Sequence, residues 1–466
     1  MGSTTPILRK IWNRLTLRTH RNNAAVFWPG LQDADLWLAA IWLAMLRFHD
    51  ELLWLVCRYS HLLRRWRRKS VTGRPGHVLH VTGSFDLGGS QTQIKNLCLP
   101  QSSTTAFSHE AVEIFPEANF LFRQGVSVDA ARYMGHNLIG RTIGRLITFS
   151  GTRSSQIVQV FKLVKDFRVA RPEVVVGWGH ELCMVTFTAA AIARVPRVVF
   201  CVRTFNPGYG WVTPRMARLM RIGHSRMVPL VSRVIVNSTP LQQDYAAWLG
   251  IDPGSVSVCA NGIDAVRIDS AEAASLRRQM RERYNIADDT IVLIHVGRFS
   301  AEKGQMSLMH ANLALLERYP ERKFVWLLCG DGSMMADVQA FAVSHSMDNV
   351  IFVGRTDEVR TLLHAADIFV MPSDFEGMPN AMMEAMAQGL PSVSTDRSGA
   401  VDVARDGQEA LYYRPRDIPH LVKHLSYLFD HEVERRQLGH RAQARMREFS
   451  VARSVAAFEA LLSDDE

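Results

Sequence analysis

None of the six cysteines (57, 98, 183, 201, 259, 329) stands in a C-x-x-C pair or at metal-ligand spacing. That excludes a disulfide scaffold and a zinc ribbon, and reads as reduced thiols of a cytosolic protein. Internal repeats and low-complexity tracts are also missing. Glycine (30) and proline (18) are too few for a collagen-like or linker-type chain. With 47% hydrophobic and 21% charged residues the composition is not that of a disordered chain. What is present is enough length, 466 residues, for two or three domains.

Charge is unevenly placed. The net charge is +9, and residues 1–75 hold 13 basic and 4 acidic residues, so the whole excess lies there. Within this segment LWLAAIWLAM (36–45) is uncharged until Arg47 interrupts. That is about half of the ~20 residues a spanning helix needs, and no small-residue cleavage site follows it as in a signal peptide. As a helix, Arg47, Asp50, Glu51, Arg58 and His61 share about a 100° arc, leaving a wide apolar face with Trp37 and Trp42. Arg64, Arg65, Arg67, Arg68 and Lys69 follow. The pattern suits a helix lying in a membrane interface and drawn to anionic lipid; an extension docked on the protein itself is the alternative. No nucleic-acid recognition motif accompanies the charge, so no nucleic-acid partner is expected.

From His77 onward, short apolar runs alternate with helical stretches. HVLHVT (77–82), VVVGW (174–178), RVVFCV (197–202), RVIVN (233–237) and SVSVC (255–259) read as buried strands. A second series follows: IVLIHVG (291–297), KFVWLLCG (323–329), NVIFVG (349–354), DIFVMP (367–372) and LPSVST (390–395). Helices are expected around 154–169, 180–193, 239–250 and 450–463. The alternation predicts an α/β chain of two doubly wound parallel-sheet domains facing a cleft. The expected divisions are 1–75 (basic helical extension), 76–265, 266–445, and a terminal helix 446–466 returning towards the first domain. The charged stretch RRQMRERYNIADD reads as the break, with no core character beyond a short helix.

Open α/β sheets bind ligands beyond the carboxyl ends of their strands, so the loops there come first. Gly88 and Gly89 precede a helix expected near Gln91. They allow either close approach of an anion to a helix start or simply a tight turn. Arg298 and Lys303, in G-R-F-S-A-E-K-G, converge on one loop and would neutralise a diphosphate unless they are plain surface cations. In S-D-F-E-G-M-P-N-A-M-M-E-A-M-A-Q-G (373–389), Glu376 precedes a helix and Glu384 stands inside it as the lone charge among Met and Ala. Taken alone, Glu384 reads as a solvent-facing carboxylate. His180 and Arg203 follow strand ends and are open to structural and site readings alike. No D-x-D ends a buried strand, so no bound metal is expected.

Together G-G (88–89), N-G-I-D (261–264), G-R-x4-K-G (297–304), G-x-G (330–332), P-S-x-x-E-G-x-P (372–379) and E-A-M-A-x-G-x-P (384–391) resemble the family-four retaining glycosyltransferases of GT-B fold. The resemblance runs from about His77 to the C-terminus; Asp402 and Ala410 depart from it, where Glu and Gly are common. It implies that Arg298 and Lys303 stabilise the leaving nucleotide diphosphate. Glu376 would hold the hydroxyls of the transferred sugar, and Glu384 the ribose diol. Gly377, Met378 and Asn380 would meet sugar and diphosphate through backbone N–H groups. His180 would lie near the reacting sugar and Arg203 near an acceptor phosphate. The expected reaction moves a sugar from a nucleotide-diphosphate sugar to a glycan or polyprenyl-diphosphate-linked acceptor, without cofactor or metal. Its expected setting is exopolysaccharide, capsule or lipopolysaccharide synthesis at the cytoplasmic face of the inner membrane. A GT-B epimerase and a non-catalytic scaffold are the alternatives.

Overall fold

The computed structural model describes residues 73–83, 89–99, 107–113, 131–133, 156–210, 212–264 and 270–463. The N-terminal helix expected before residue 73, and Gly88, lie outside these. Among the described residues no helix is long and apolar enough to cross a membrane.

Among the described residues thirteen strands form two sheets. β1 (Arg74–Thr82), β2 (Ser108–Glu113), β3 (Ala131–Tyr133), β4 (Pro172–Trp178), β5 (Arg197–Val202), β6 (Arg233–Val236) and β7 (Ser257–Val258) make the first. β8 (Ile291–Val296), β9 (Phe324–Cys329), β10 (Val350–Gly354), β11 (Ile368–Met371), β12 (Ser392–Thr395) and β13 (Ala410–Tyr413) make the second. Their orders are β3-β2-β1-β4-β5-β6-β7 and β10-β9-β8-β11-β12-β13, and every pairing is parallel. This is one winding pattern used twice. Strand order reverses between β1 and β4 in the first sheet and between β8 and β11 in the second. The loops leaving those four strands flank the two switch points, where such sheets hold ligands.

Central strands are Val, Ile and Leu on both faces because helices cover both sides. Three strands escape that signature. β2 reads SHEAVE, β3 has three residues, and β13 is a short ALYY. The helix after the Gly-Gly pair starts at Gly89, two residues earlier than expected.

The charged stretch between the sheets is better anchored than its composition suggests. Its first half, RRQMRER, closes a 14-residue helix, Ser270–Arg283. Arg277 and Arg281 grip opposite oxygens of Asp367 at 2.7 and 2.8 Å, just ahead of β11. Arg281 also caps the carbonyls of Ala287, Asp288 and Thr290, so a 2% exposed arginine is fully partnered.

The last helix, Val451–Ser463, packs on the first sheet, burying Val455, Phe458 and Leu462. Each such side chain contributes roughly 1.5–3 kcal/mol. Phe458 stacks on Trp178 at 6.1 Å. Beside it a polar file crosses the sheet. Trp178 Nε1 donates to His80 Nδ1 (3.0 Å), His80 Nε2 meets His109 Nδ1 (2.9 Å), and His109 Nε2 meets Glu459 (3.2 Å). Burial, with His77 nearby, pulls His109 down to about 4.

Candidate functional site

The β8 and β11 loops are sewn together locally. Asp374 N donates to the Glu302 carbonyl at 2.8 Å and Ser300 Oγ to the Glu302 carboxylate at 2.6 Å. Gly304, with φ at +69°, leaves no room for a Cβ against the Pro372 carbonyl. This lets the loops approach closely, and Lys303 Nζ pairs with Glu376, which also accepts from Ser373 Oγ at 3.1 Å. Arg298 projects nearby, 71% exposed, held by Glu302 at 3.2 Å. Two cations and one carboxylate thus stand at the second switch point.

Gly377 faces the first domain. A Cβ there would strike the Arg203 carbonyl and lie 2.8 Å from Asn237 Oδ1. Gly399 N donates to the Glu376 carbonyl at 2.9 Å, fixing the same turn from behind. Met378 is buried, and its carbonyl and sulfur accept from Asn261 at 3.4 and 3.1 Å. The helix Asn380–Ala387 then begins. Asn380 Oδ1 accepts from Asn261 (2.7 Å), and Asn380 Nδ2 donates to the Gly89 carbonyl (3.3 Å). Gly89 is therefore seated against the start of the second domain's helix.

Glu384, half-buried on that helix, receives no hydrogen bond from a described side chain. Desolvation raises its carboxyl above the ordinary value, opposed by Arg360. A carboxylate in that position is suited to accept hydroxyl donors from a ligand.

His180 opens the helix His180–Ala193, directly after Gly179 with φ at +94°. It is 2% exposed, and its Nε2 lies 3.0 Å from the Thr204 carbonyl. Burial outweighs the Thr204 and Phe205 carbonyls and lowers it to about 4, so the ring is neutral at pH 7. Trp248 meets it edge-on at 5.3 Å. Arg203 is buried rather than open to an acceptor. Its guanidinium lies over Trp178 at 4.6 Å and donates to Asn261 Oδ1 at 2.7 Å. It organises the contact between the domains.

Asn261 and Asp402 gained no role from the sequence. Asn261 joins the buried Arg203 to Asn380. Asp402 reaches across and accepts from Thr239 N at the start of a first-domain helix. Asn261 stood inside the N-G-I-D motif and Asp402 at a departure from the family pattern; only the three-dimensional pairing gives each its task.

Two facing doubly wound sheets with a cation–carboxylate cluster at their meeting switch points define a GT-B protein. Residues 116–267 match the family described as Glycosyltransferase Family 4, and residues 290–431 match Glycosyl transferases group 1; the chain belongs to these glycosyltransferases. It is 27% identical over 242 residues to the Vi polysaccharide biosynthesis protein VipC/TviE of Salmonella typhi, covering 49% of this chain and 39% of that one. It is 25% identical over 189 residues to the UDP-Gal:alpha-D-GlcNAc-diphosphoundecaprenol alpha-1,3-galactosyltransferase of Escherichia coli, covering 40% and 48%. The chain thus spans less than half the length of these two curated relatives. Its fold superposes on Anabaena HepE, solved with UDP and glucose, with a TM-score of 0.69 at 19% identity, covering 84% of this chain and 100% of that one.

Proposed function

We propose that this protein transfers a sugar, with retention and without metal, from a nucleotide-diphosphate sugar to a glycan or polyprenyl-diphosphate-linked acceptor in cell-surface polysaccharide synthesis. The observation that carries the reading is the Lys303–Glu376 pair beside Arg298 at the second switch point. Relatives named for polysaccharide synthesis and for a diphosphoundecaprenol acceptor support the substrate classes.

In the proposed reaction the bond from the anomeric carbon to the diphosphate breaks, and the acceptor hydroxyl attacks from the same face. A phosphate oxygen of the leaving diphosphate takes the hydroxyl proton. Arg298 and Lys303 stabilise the charge that develops on the diphosphate, in the role a metal plays elsewhere. Glu376 orients the sugar hydroxyls, and Glu384 the ribose. His180, neutral at pH 7, supplies a fixed hydrogen-bonding wall and not a titrating acid. The basic N-terminal segment holds the protein on the cytoplasmic face of the membrane.

Transfer measured with a panel of nucleotide sugars, with and without lipid extract and in EDTA, tests the reading. Acceptor-dependent turnover that survives EDTA is expected. Release of free sugar regardless of acceptor would favour the epimerase. Loss in EDTA, restored by manganese or magnesium, would overturn the metal-free step.

A further inference from the structure

Main-chain pairing of β8 with β11 ends at Ile294 and Phe369. The next rung is made by a side chain, as buried His295 donates from Nδ1 to the Val370 carbonyl at 2.9 Å. Burial, against the pull of that carbonyl, lowers the ring to about 4, so it is neutral at pH 7. Its one ring proton points at Val370, which leaves Nε2 as an acceptor. Gln305 meets that acceptor. It is buried at the start of the helix Gln305–Arg318, with Nε2 3.1 Å from His295 Nε2 and 2.8 Å from the Arg298 carbonyl. Both neighbours are acceptors, so the amide cannot turn round without losing two hydrogen bonds. Its own Oε1 is buried with no hydrogen bond among the described residues. Core packing alone does not explain an amide held this way.

We propose that Gln305, oriented by His295, is a positioning residue for Arg298: it fixes the peptide from which the guanidinium reaches the leaving diphosphate. The inference rests on the transferase reading above and on the role of Arg298 in it. Gln305 closes the loop 298–304, which carries Arg298 at one end and Lys303 near the other. On either side of Arg298, Gly297 N donates to the Cys329 carbonyl at 3.0 Å and Phe299 N to the Asp331 carbonyl at 2.9 Å. The Arg298 guanidinium, by contrast, is largely open to solvent. Its direction is therefore set by the main chain, and a charge stabiliser works best when it is aimed in advance. The strut Val370–His295–Gln305–Arg298 joins the strand that leads to Glu376 with the loop that bears the cations. Lys303 has its own brace in Glu376, so Gln305 acts through Arg298.

The test is a double-mutant cycle on the full chain. Turnover is measured with UDP-glucose, UDP-galactose, UDP-N-acetylglucosamine and GDP-mannose, lipid extract supplying the acceptor, and the fastest donor is kept. Gln305→Met keeps the length of the side chain and removes both donors. Gln305→Glu can still bond a protonated His295 but has no N–H for the Arg298 carbonyl. Each should lower kcat at least ~10-fold, since a misplacement of ~1 Å can cost ~10²-fold. The donor KM should change less than ~2-fold, as for an interaction made in the transition state. In an Arg298→Ala background the same substitutions should cost less than ~2-fold more, because the group they position is gone. Losses that add in full, as a general loosening of the fold would give, overturn the proposal. So do folded Gln305 variants with normal kcat beside an impaired Arg298→Ala, a result that leaves the transferase reading standing. Normal turnover in Arg298→Ala itself removes Arg298 from the mechanism, and the positioning role with it.

Discussion

Asn261 and Asn380 share a 2.7 Å hydrogen bond across the two domains, while Asn261 Oδ1 accepts from Arg203 at the same distance. One side chain thus ties a buried cation of the first sheet to the first residue of the second domain's site helix. Any displacement of Asn261 reaches Met378 and Gly89 through these bonds.

Removing that amide should cost stability. Asn261→Ala takes a neutral acceptor from a buried guanidinium, and hydrogen bonds to charged groups are worth about 1.5–3 kcal/mol. Urea unfolding should show a loss of about 2 kcal/mol together with weaker nucleotide binding. An unchanged midpoint would mean that Arg203 is held by other contacts.

Lys303→Ala should leave the fold almost untouched, because the pair with Glu376 sits in partly exposed loops. Turnover should nevertheless fall by at least ~10²-fold, the usual effect of deleting one preorganised charge stabiliser. A folded variant with normal turnover would remove Lys303 from the mechanism.

Glu384 offers a pH signature. Burial raises its carboxyl above the ordinary value, so on acidification it takes up a proton before ordinary glutamates do. If its ionised form holds the ribose, affinity for UDP or GDP should weaken on mild acidification. Glu384→Gln should bind more weakly at pH 7 and lose this acid limb. Calorimetric titration from pH 7 to 5 checks both; parallel profiles in the two proteins would count against the assignment.

Acid should unfold the protein through its buried histidines. Burial lowers His109, His180 and His295 to about 4 and His224 to about 3, whereas unfolded histidine titrates near ~6.5. Between those values the unfolded chain binds more protons, so stability is complete above ~6.5 and falls as pH drops towards 4. Each histidine contributes a slope of about 1.4 kcal/mol per pH unit over that window. A urea midpoint that stays level from pH 7 to pH 5 would contradict this.

The windings were legible in the sequence because a parallel strand covered on both faces must be a continuous apolar run, as VVVGW and FVWLLC are. SHEAVE failed that criterion because it opens with Ser108, His109 and Glu110 before reaching Ala111 and Val112 in the core. Lys303 and Glu376 were legible because loop position and motif spacing place them at a switch point. The task of Arg203 was not, because an arginine at a strand end looks the same in sequence whether it meets solvent or Asn261. The same holds for Arg281, whose buried seat depends on Asp367, 86 residues away.

The helix that returns to the first sheet also sets an order of assembly. Val455, Phe458 and Leu462 are made after both sheets, yet they cover Val78, Trp178 and Ile235. During synthesis that face of the first sheet therefore stays uncovered until this helix has left the ribosome. Until then nascent chains of this protein are most open to aggregation and to chaperone capture on the amino-terminal half.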